Sequence, residues 1–242
     1  MKILLLLACD NIPFRVCRFC GMGPTSAVWF PPVLAVAKAG PSLPLHARRC
    51  RMRTVPRVPP FDRSATYEDL VKLPDHLVAE IVDGELHASP RPAPRHTVAY
   101  AGLTELLHSG FDSGRTGPGG WWILAEPELH LGADVLVPDL AGWRRTRMPR
   151  VPETAYFPLA PDWICEILSP PTASLDRTQK LAIYAREAVG HAWLIDPVAR
   201  TLETLRLGAG RWTTIGAHAG GAAVCAEPFD AIEFNLGELW PD

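Results

Sequence analysis

The alternation of apolar and polar side chains is clearest in residues 78–88 and predicts a β-hairpin. Two short alternating runs, Val78–Val82 and Glu85–Ala88, flank the pair Asp83-Gly84. Both positions of a two-residue hairpin turn favour positive φ, which aspartate and glycine tolerate well, so this pair between two strands is a strong hairpin signal. We therefore predict two antiparallel strands joined by a tight turn.

Helical spacing of apolar residues is found in three other segments. The first, residues 66–73, begins at Thr66, a favourable N-cap residue, and ends before Pro74. The second covers residues 96–109 and the third residues 174–188, where apolar positions recur every three or four residues. We predict a helix in each segment.

Runs rich in apolar residues predict the strands of a sheet. The run Trp163–Leu168 is almost entirely apolar, which is typical of a central strand covered on both faces. The other predicted strands are 121–131, which Pro127 interrupts, 135–141, 191–195, 201–207 and 211–215. This order of elements predicts an α/β (α+β) fold, with a mixed β-sheet core flanked by helices and a β-rich C-terminal half.

Composition changes near residue 61. Residues 1–61 carry nine lysines and arginines against one acidic residue, whereas residues 62–242 carry fifteen against twenty-five, a net charge of −10. The first segment is also rich in proline, glycine and cysteine and has little periodicity. We interpret it as an extension that is disordered or results from a start codon assigned too far upstream, and residues 62–242 as the folded domain. A basic arm for nucleic acid is the alternative.

Cysteines and apolar runs bear on compartment and metal binding. No apolar run reaches the roughly 18 residues that span a bilayer, and the leucine-rich start has no evident signal-peptide cleavage site. A lipid-attached Cys9 is a minor alternative, and Cys17-x-x-Cys20 is at most half of a zinc site. We predict that Cys165 and Cys225 are buried, and we expect a cytoplasmic protein without membrane association.

Two carboxylates interrupt strongly apolar strands. Asp139 follows Val135-Leu136-Val137-Pro138, and Glu166 lies in the middle of Trp163–Leu168. Burying a carboxylate is unfavourable unless a cation holds it, and two hard oxygen ligands on rigid strands suit Mg²⁺. The pair therefore predicts a metal site. The alternative is that one acid pairs with an arginine while the other lies at a solvated strand end.

Lys180 is the candidate cation for this site. Asp176, Lys180 and Tyr184 are spaced by four residues and form one stripe along the predicted helix, next to its apolar face. The helix begins one loop after Glu166, so Lys180 could lean towards that carboxylate. A solvated lysine paired with Asp176 is the alternative. It is weakened because residues 62–242 contain only one other lysine, Lys72.

Three further signals are weaker. His96 follows a proline-rich loop and could face a substrate, or it could be a solvated residue at a helix start. Trp121-Trp122 could stack on bases, although aromatic residues in strands more often belong to the core. A basic cluster after the Asp139 strand could hold a phosphate backbone or form an exposed loop. Its members are Arg144, Arg145, Arg147 and Arg150.

Seven short motifs follow one another between residues 64 and 240. They are Thr66-Tyr67-Glu68-Asp69-Leu70, Glu80–Leu86, Ser89-Pro90-x-Pro92-x-x-x-His96, Val137-Pro138-Asp139-Leu140, Glu166–Thr172, Asp176-x-x-x-Lys180-x-x-x-Tyr184-Ala185 and Trp193–Pro197. In type and order they resemble the Uma-type family of proposed bacterial endonucleases. That family belongs to the PD-(D/E)XK, or restriction-endonuclease-like, superfamily, so the resemblance implies a restriction-endonuclease-like fold. It does not extend to residues 1–61.

The resemblance also implies roles for particular residues. Asp139 takes the position of the motif aspartate and Glu166 that of the second acid, while Leu168 stands where the motif lysine is expected. The lysine is then displaced onto the following helix, as Lys180. Glu80, in the first hairpin, matches an acidic residue of the family that could complete the shell of a Mg²⁺ or Mn²⁺ ion.

These expectations together predict a metal-dependent endonuclease that hydrolyses DNA phosphodiester bonds, with Asp139, Glu166 and Lys180 as catalytic residues. DNA is the expected partner, and a homodimer is a further expectation. Three alternatives stay open: an inactive nuclease fold that binds DNA or regulates, a phosphoesterase for small molecules, and an interaction protein whose acids are structural. The charge of −10 on residues 62–242 disfavours non-specific affinity for DNA.

Overall fold

The computed structural model describes residues 63–240, so the predictions for residues 1–61, including the Cys17-x-x-Cys20 pair, lie outside the described residues. The helical segments are α1 (Tyr67–Leu70), α2 (Pro94–Leu107), α3 (Ala173–Leu175) and α4 (Leu181–Arg186), with π-turns at His108–Asp112 and Asp176–Lys180 and a 3₁₀ turn at Leu236–Leu239. The three predicted helices are present. The first is shorter than predicted, and the third contains a π-turn.

Twelve strands lie within residues 63–240. They are β1 (Val78–Val82), β2 (Glu85–Ser89), β3 (Trp121–Ala125), β4 (Leu129–Leu131), β5 (Asp134–Leu136), β6 (Leu140–Arg144), β7 (Trp163–Ile167), β8 (His191–Asp196), β9 (Thr201–Gly208), β10 (Arg211–Ala219), β11 (Ala223–Val224) and β12 (Phe234–Asn235). The last two pair only with each other. The other strands form two sheets.

The smaller sheet contains the predicted hairpin. Its strand order is β2-β1-β5-β4, and every neighbouring pair is antiparallel. The turn residues Asp83 and Gly84 have φ values of 51° and 79°, as a tight hairpin turn requires. The hairpin prediction is therefore confirmed, and β1 brings Glu80 into the middle of this sheet.

The larger sheet has the order β10-β9-β8-β7-β6-β3 and is mixed. Only β7 and β8 are parallel neighbours, and residues 173–186 cross over between them. Parallel neighbours need such a crossover, which usually packs as a helix on one face of the sheet. The fold is thus the predicted mixed α and β arrangement, and the third helical segment packs over the strand that carries Glu166.

Two predicted strands are each divided in the structure. The interruption at Pro127 was predicted, whereas the prediction of one continuous strand over residues 135–141 was wrong. The segment 121–131 forms β3 and β4, and the segment 135–141 forms β5 and β6; in both cases the two strands belong to different sheets. The breaks fall at Pro127 and at Pro138. Proline has no backbone N–H to donate to a strand ladder, so it marks the positions where the chain leaves one sheet for the other. The second break places Asp139 between the two sheets.

The larger sheet is covered on both faces. α2 and the C-terminal residues pack against the face to which Cys165 and Ile167 point, and α4 and the smaller sheet cover the face to which Ile164 and Leu168 point. Side chains alternate between faces along a strand, so Glu166 belongs to the second face. It is consequently enclosed between the sheet and the crossover helix.

The two cysteines within residues 63–240 differ in exposure. Cys165 is buried in β7, as predicted, but Cys225 is exposed, so the prediction for Cys225 was wrong. Val224, the last residue of β11, takes the inward position instead, and Cys225 follows it with the opposite orientation. Within the same residues no helix is long and apolar enough to cross a membrane.

Candidate active site

Glu166 lies at the centre of the candidate site, near the end of the central strand β7. Its side chain is almost completely buried, with 4% of its surface exposed. Oε1 accepts a hydrogen bond of 2.7 Å from the hydroxyl of Tyr184 and lies 2.9 Å from Nζ of Lys180. The buried carboxylate therefore has the cationic partner that its position in an apolar strand requires.

The crossover helix presents Lys180 to this carboxylate. Lys180 ends the π-turn Asp176–Lys180, which lies between α3 and α4, and its side chain is only 3% exposed. A π-turn adds a residue to a helical turn, and such insertions occur often at functional sites. The predicted stripe of Asp176, Lys180 and Tyr184 faces the core, and all three side chains are buried. The alternative of a solvated Lys180 is therefore excluded.

Lys180 has two further acidic neighbours. Its Nζ atom lies 2.8 Å from Oε1 of Glu80 and 3.7 Å from Oδ1 of Asp176. The same oxygen of Glu80 accepts a hydrogen bond of 2.7 Å from the backbone N–H of Val137. Glu80 thus joins the ammonium group to the segment just before Asp139, and the smaller sheet, the larger sheet and the helix all contribute to one cluster.

Asp139 lies at the start of β6, opposite the end of β7. Its Oδ2 atom accepts a hydrogen bond of 2.6 Å from the backbone N–H of Ile167, and its Oδ1 atom lies 2.9 Å from Nε2 of His96. The pairing of Leu140 with Cys165 extends to place Asp139 beside Glu166. The two carboxylates predicted as a pair are therefore brought to neighbouring strands at one end of the sheet.

A cleft of about 90 Å³ opens onto these residues. The residues named so far that line it are Glu80, His96, Val137, Asp139, Glu166, Ile167, Asp176 and Lys180. Ser169 and Thr172, whose hydroxyl groups are 2.9 Å apart, line it as well, together with Glu126. The cleft is thus bordered by five carboxylates, one ammonium group and one imidazole.

The charges in this cluster shift the pKa values of its members. Burial raises the pKa of Glu166 well above its ordinary value, against the opposite effect of Lys180. Burial likewise raises the pKa of Asp176 to about 6, although Lys180 again opposes the rise. Burial alone would lower the pKa of Lys180, but the charges of Glu166 and Glu80 outweigh it and raise that pKa. Lys180 is therefore an ammonium ion at neutral pH.

The imidazole of His96 is coupled to Asp139. Burial, the largest single effect, lowers the pKa of His96, but the hydrogen bond to Asp139 and its negative charge outweigh it, so the pKa is raised overall. Nε2 faces Asp139, whereas Nδ1 is buried and has no hydrogen-bond partner in the described residues. The raised pKa of His96 therefore depends on its contact with the ionised Asp139.

The donor atoms suit a hard divalent cation. The formal charge is −2 when three acids and one lysine are all ionised, namely Glu80, Glu166, Asp176 and Lys180. The pair of Asp139 and a charged His96 is neutral and leaves this sum unchanged. The contacts to Glu80 and Glu166 described above use Oε1 of each residue and leave Oε2 for a ligand from the cleft. Magnesium takes one or two carboxylates and keeps several waters, so this donor set fits it.

The cluster is not a preformed cage for a metal. Within residues 63–240, no group of three or more His, Cys, Asp or Glu side chains is arranged to hold an ion. The reason is local: both oxygens of Asp139 are engaged by His96 and Ile167, and Lys180 lies between Glu80 and Glu166. A cation bound by Asp139 would therefore compete with His96 and with the N–H of Ile167 for the oxygens of this carboxylate.

The predicted basic cluster lies away from the cleft. Arg144 is at the opposite end of β6, which places it roughly 16 Å from the candidate acid at the strand start. Arg145 lies 2.6 Å from Oδ1 of Asp112, and Arg147 lies 3.5 Å from Oδ2 of Asp162. Both arginines are thus held by carboxylates of the fold. Their ion pairs in a surface turn favour the exposed-loop interpretation over the phosphate-backbone interpretation for these two residues.

The tryptophan pair also has structural contacts. Trp121 is buried in the core, where its ring lies 4.9 Å from that of Phe229. Trp122 donates a hydrogen bond of 2.9 Å from Nε1 to the carbonyl of Met148, and the guanidinium of Arg145 lies 3.8 Å above its ring. Neither ring borders the cleft, so the structure favours the core interpretation over base stacking.

The sequence patterns underestimated the importance of one cleft residue, His96, and gave no indication of another, Glu126. His96 is buried and contacts Asp139, although a solvated residue at a helix start was the favoured expectation. Glu126 was not considered; it has a positive φ of 45° and donates its backbone N–H to the carbonyl of Asp139. Positive φ is unfavourable for a glutamate, and more so before a proline such as Pro127. The sequence feature that could have indicated Glu126 is the position of this acid directly before Pro127, inside a predicted strand.

Fold and site together define a mixed-sheet protein with an acidic cleft and a buried lysine. Comparison with known proteins identifies its family. Residues 65–237 match the Uma2 family, described as "Putative restriction endonuclease". This match covers more than half of the chain, so the protein belongs to that family. The resemblance inferred from the motifs is thereby confirmed. No curated protein matches the chain significantly.

Five chains of solved structures match significantly. One is the crystal structure of a protein from Anabaena variabilis described as "a putative nuclease belonging to DUF820". It is 23% identical to this chain, with a TM-score of 0.60, and the match covers 72% of this chain and 97% of the other. At this identity the likeness shows the fold alone.

Proposed function

We propose that the protein is a Mg²⁺- or Mn²⁺-dependent endonuclease that hydrolyses phosphodiester bonds in DNA. The observation that carries this proposal is the buried ammonium group of Lys180, held between Glu80 and Glu166 at the base of an acidic cleft. Membership of the family supports a nuclease in general. The choice of DNA, the metal and the individual residue roles are our inferences from the site.

The cation would be held by Asp139 and Glu166, with Glu80 completing the shell through its Oε2 atom or through a bound water. A cation of this kind supplies two effects, since it polarises a phosphate oxygen and lowers the pKa of a water molecule. Carboxylate oxygens and waters are the ligands that Mg²⁺ prefers. Asp176 and Tyr184 would not touch the ion and would instead keep Lys180 and Glu166 in place.

Lys180 would stabilise the negative charge that develops on the phosphate during hydrolysis. Its position is fixed by two carboxylates, so little reorganisation is needed when that charge appears, which is the condition for strong electrostatic catalysis. Its raised pKa keeps the ammonium charged over the whole neutral range. His96 would hold Asp139 in the metal-free protein and, once charged, would favour an anion at the mouth of the cleft.

The experiment that tests this function is cleavage of supercoiled plasmid DNA by the full chain with Mg²⁺ or Mn²⁺, and with EDTA. We expect cleavage that needs the metal and that Glu166→Gln abolishes, whereas Glu153→Gln, an exposed acid outside the cleft, keeps the wild-type rate. Absence of DNA cleavage with either metal would contradict the proposal. Hydrolysis of bis(p-nitrophenyl) phosphate without DNA cleavage would replace it with a small-molecule phosphoesterase.

A further inference from the structure

A second cavity lies beside the candidate active site. Its volume is about 260 Å³, and it is lined by Arg91, Pro92, His96, Thr97, Tyr100 and Glu126. Pro92, His96 and Glu126 also line the cleft of the active site, so the two spaces share a wall. A group that enters the second cavity therefore lies next to a group bound at Asp139.

Arg91 is the cation of this cavity that is available to a ligand. Lys180 is enclosed by carboxylates and His96 contacts Asp139, whereas the exposed Arg91 has no ion pair within residues 63–240. It stands between Pro90 and Pro92. Proline fixes its own φ and restricts the residue before it to an extended conformation, so the backbone of Arg91 loses little entropy when a ligand binds.

The other walls suit an anionic group joined to a flat one. The cavity adjoins the first turn of α2, where the backbone N–H of His96 precedes the first intrahelical hydrogen bond, from Thr97 to the carbonyl of Ala93, and favours an anion. His96, in that turn, has a side chain only 9% exposed and a buried Nδ1 atom without a partner. Tyr100 follows one helical turn later on the same side, is half-buried, and supplies an aromatic wall.

The acidic cleft by itself offers little affinity for a polyanion such as DNA, so DNA binding requires a cation outside it. Five carboxylates border the cleft, and its one ammonium group is already engaged, so a polyanion gains little affinity there without the metal. Affinity for nucleic acid comes mainly from cations that contact phosphates. Glu126 disfavours a phosphate on its own side of the second cavity, so the phosphate position is expected at Arg91.

We infer that this cavity is a DNA-binding subsite that holds the nucleotide next to the scissile phosphate, with its own phosphate on Arg91 and its sugar or base against Tyr100. The inference rests on the proposed nuclease function. The volume is below the roughly 300–1,000 Å³ typical of pockets for larger ligands, which fits a single nucleotide unit.

The test compares two exposed arginines four residues apart, of which only one lines the cavity. Arg91→Gln and Arg95→Gln each remove one positive charge near the start of α2, but Arg95 borders neither space. The full chain of each variant is titrated onto a short fluorescein-labelled DNA duplex by fluorescence anisotropy. Ca²⁺ replaces Mg²⁺, and a gel verifies that the DNA stays intact. The titrations are repeated over a range of salt concentrations.

We expect Arg91→Gln to raise the Kd about tenfold and to reduce the slope of log Kd against log salt by about one, as the loss of one phosphate contact does. Arg95→Gln should change the Kd by less than about twofold, because it acts only through long-range charge. Equal effects of the two variants would overturn the subsite while leaving nuclease activity intact. Wild-type protein that binds no DNA would overturn both. An Arg91-specific effect on binding by a protein that cleaves no DNA with Mg²⁺ or Mn²⁺ would show that the cavity binds DNA, but it would contradict the nuclease and the place of the cavity next to a scissile phosphate.

Discussion

The ammonium group of Lys180 lies 2.9 Å from Oε1 of Glu166, although Leu168 occupies the position where the strand motif expects a lysine. Leu168 is buried among apolar side chains on the same face of the larger sheet. The crossover helix packs over that face and supplies the cation from a different element. The acid and the lysine thus meet in space although they come from two different elements, the strand β7 and the crossover helix.

Replacing Lys180 should destabilise the metal-free fold. Methionine preserves the aliphatic volume of the side chain but removes its charge, and Lys180 is buried against Glu80 and Glu166. Removing one partner of a buried ion pair leaves an uncompensated charge and costs about 3 kcal/mol or more. We expect Lys180→Met to lower the free energy of urea unfolding by about that amount in EDTA.

The matched control is Lys72→Met, which removes the other lysine of residues 62–242. Lys72 is exposed and lies 3.8 Å from Asp69, so its loss should change the free energy of unfolding by less than about 0.5 kcal/mol. Equal stability of the two variants would show that the buried cluster does not depend on Lys180.

Asp176→Asn should stabilise the fold in a pH-dependent way. The folded-state pKa of Asp176 is raised from 3.8 to about 6, so between these values the folded state binds the proton that the unfolded state has lost. Stability therefore falls as the pH rises from about 4 to beyond 6, and the ionised side chain costs up to about 3 kcal/mol above that range. Asparagine removes this cost.

Urea unfolding at pH 4 and at pH 8 measures the free energy of unfolding of wild type and of Asp176→Asn. We expect the variant to be more stable than wild type at pH 8 and about equal at pH 4, while the exposed Asp230→Asn follows wild type at both. A variant that is less stable at pH 8 would mean that the attraction between Asp176 and Lys180 outweighs the cost of burial.

Metal binding should raise the melting temperature of the wild-type chain, because a cation that binds only the folded state stabilises it by mass action. Asp139→Asn removes one proposed ligand and should reduce the rise given by Mg²⁺ or Mn²⁺. Asp75→Asn, an exposed acid on the surface, should leave the rise unchanged. Equal shifts in all three proteins, measured by differential scanning fluorimetry, would remove Asp139 from the metal site.

The imidazole of His96 should report metal binding directly. In the metal-free protein the pKa of His96 is raised by its hydrogen bond to Asp139. A cation held by Asp139 competes for that carboxylate and repels the imidazolium, so the pKa of His96 should fall when Mg²⁺ is added. An NMR titration of the ring, assigned with His96→Gln, measures this value. A pKa that stays unchanged at saturating metal would place the ion away from Asp139.

Local patterns in the sequence predicted the hairpin, the central strand and the crossover helix, because each depends on nearby residues. Asp83-Gly84 between two strands favours a tight turn, and the short apolar run around Glu166, which ends at Ser169-Pro170-Pro171, favours a buried strand. The same apolar run identified Glu166 as a carboxylate that needs a cation when it is buried. Spacing along the helix then indicated Lys180.

The parts that could not be predicted depend on how the two sheets meet. Pro138 marks a change of sheet, but nothing local shows which sheet follows, so β5 and β6 were taken as one strand. The contacts of Asp139 with His96, and of its carbonyl with Glu126, join segments that are far apart in sequence. Such contacts follow from tertiary packing, and the periodicity of apolar residues along the chain carries no information about them.

The most direct test of the central claim, that Lys180 acts on the phosphate as the displaced motif lysine, is the single-turnover rate of DNA cleavage by Lys180→Met beside Lys72→Met. Saturating Mg²⁺ is used at a temperature where near-UV circular dichroism shows both full chains folded. Losing one preorganised charge should slow cleavage by about a hundredfold or more in Lys180→Met, with Lys72→Met at the wild-type rate. Cleavage by folded Lys180→Met at the wild-type rate would contradict the claim.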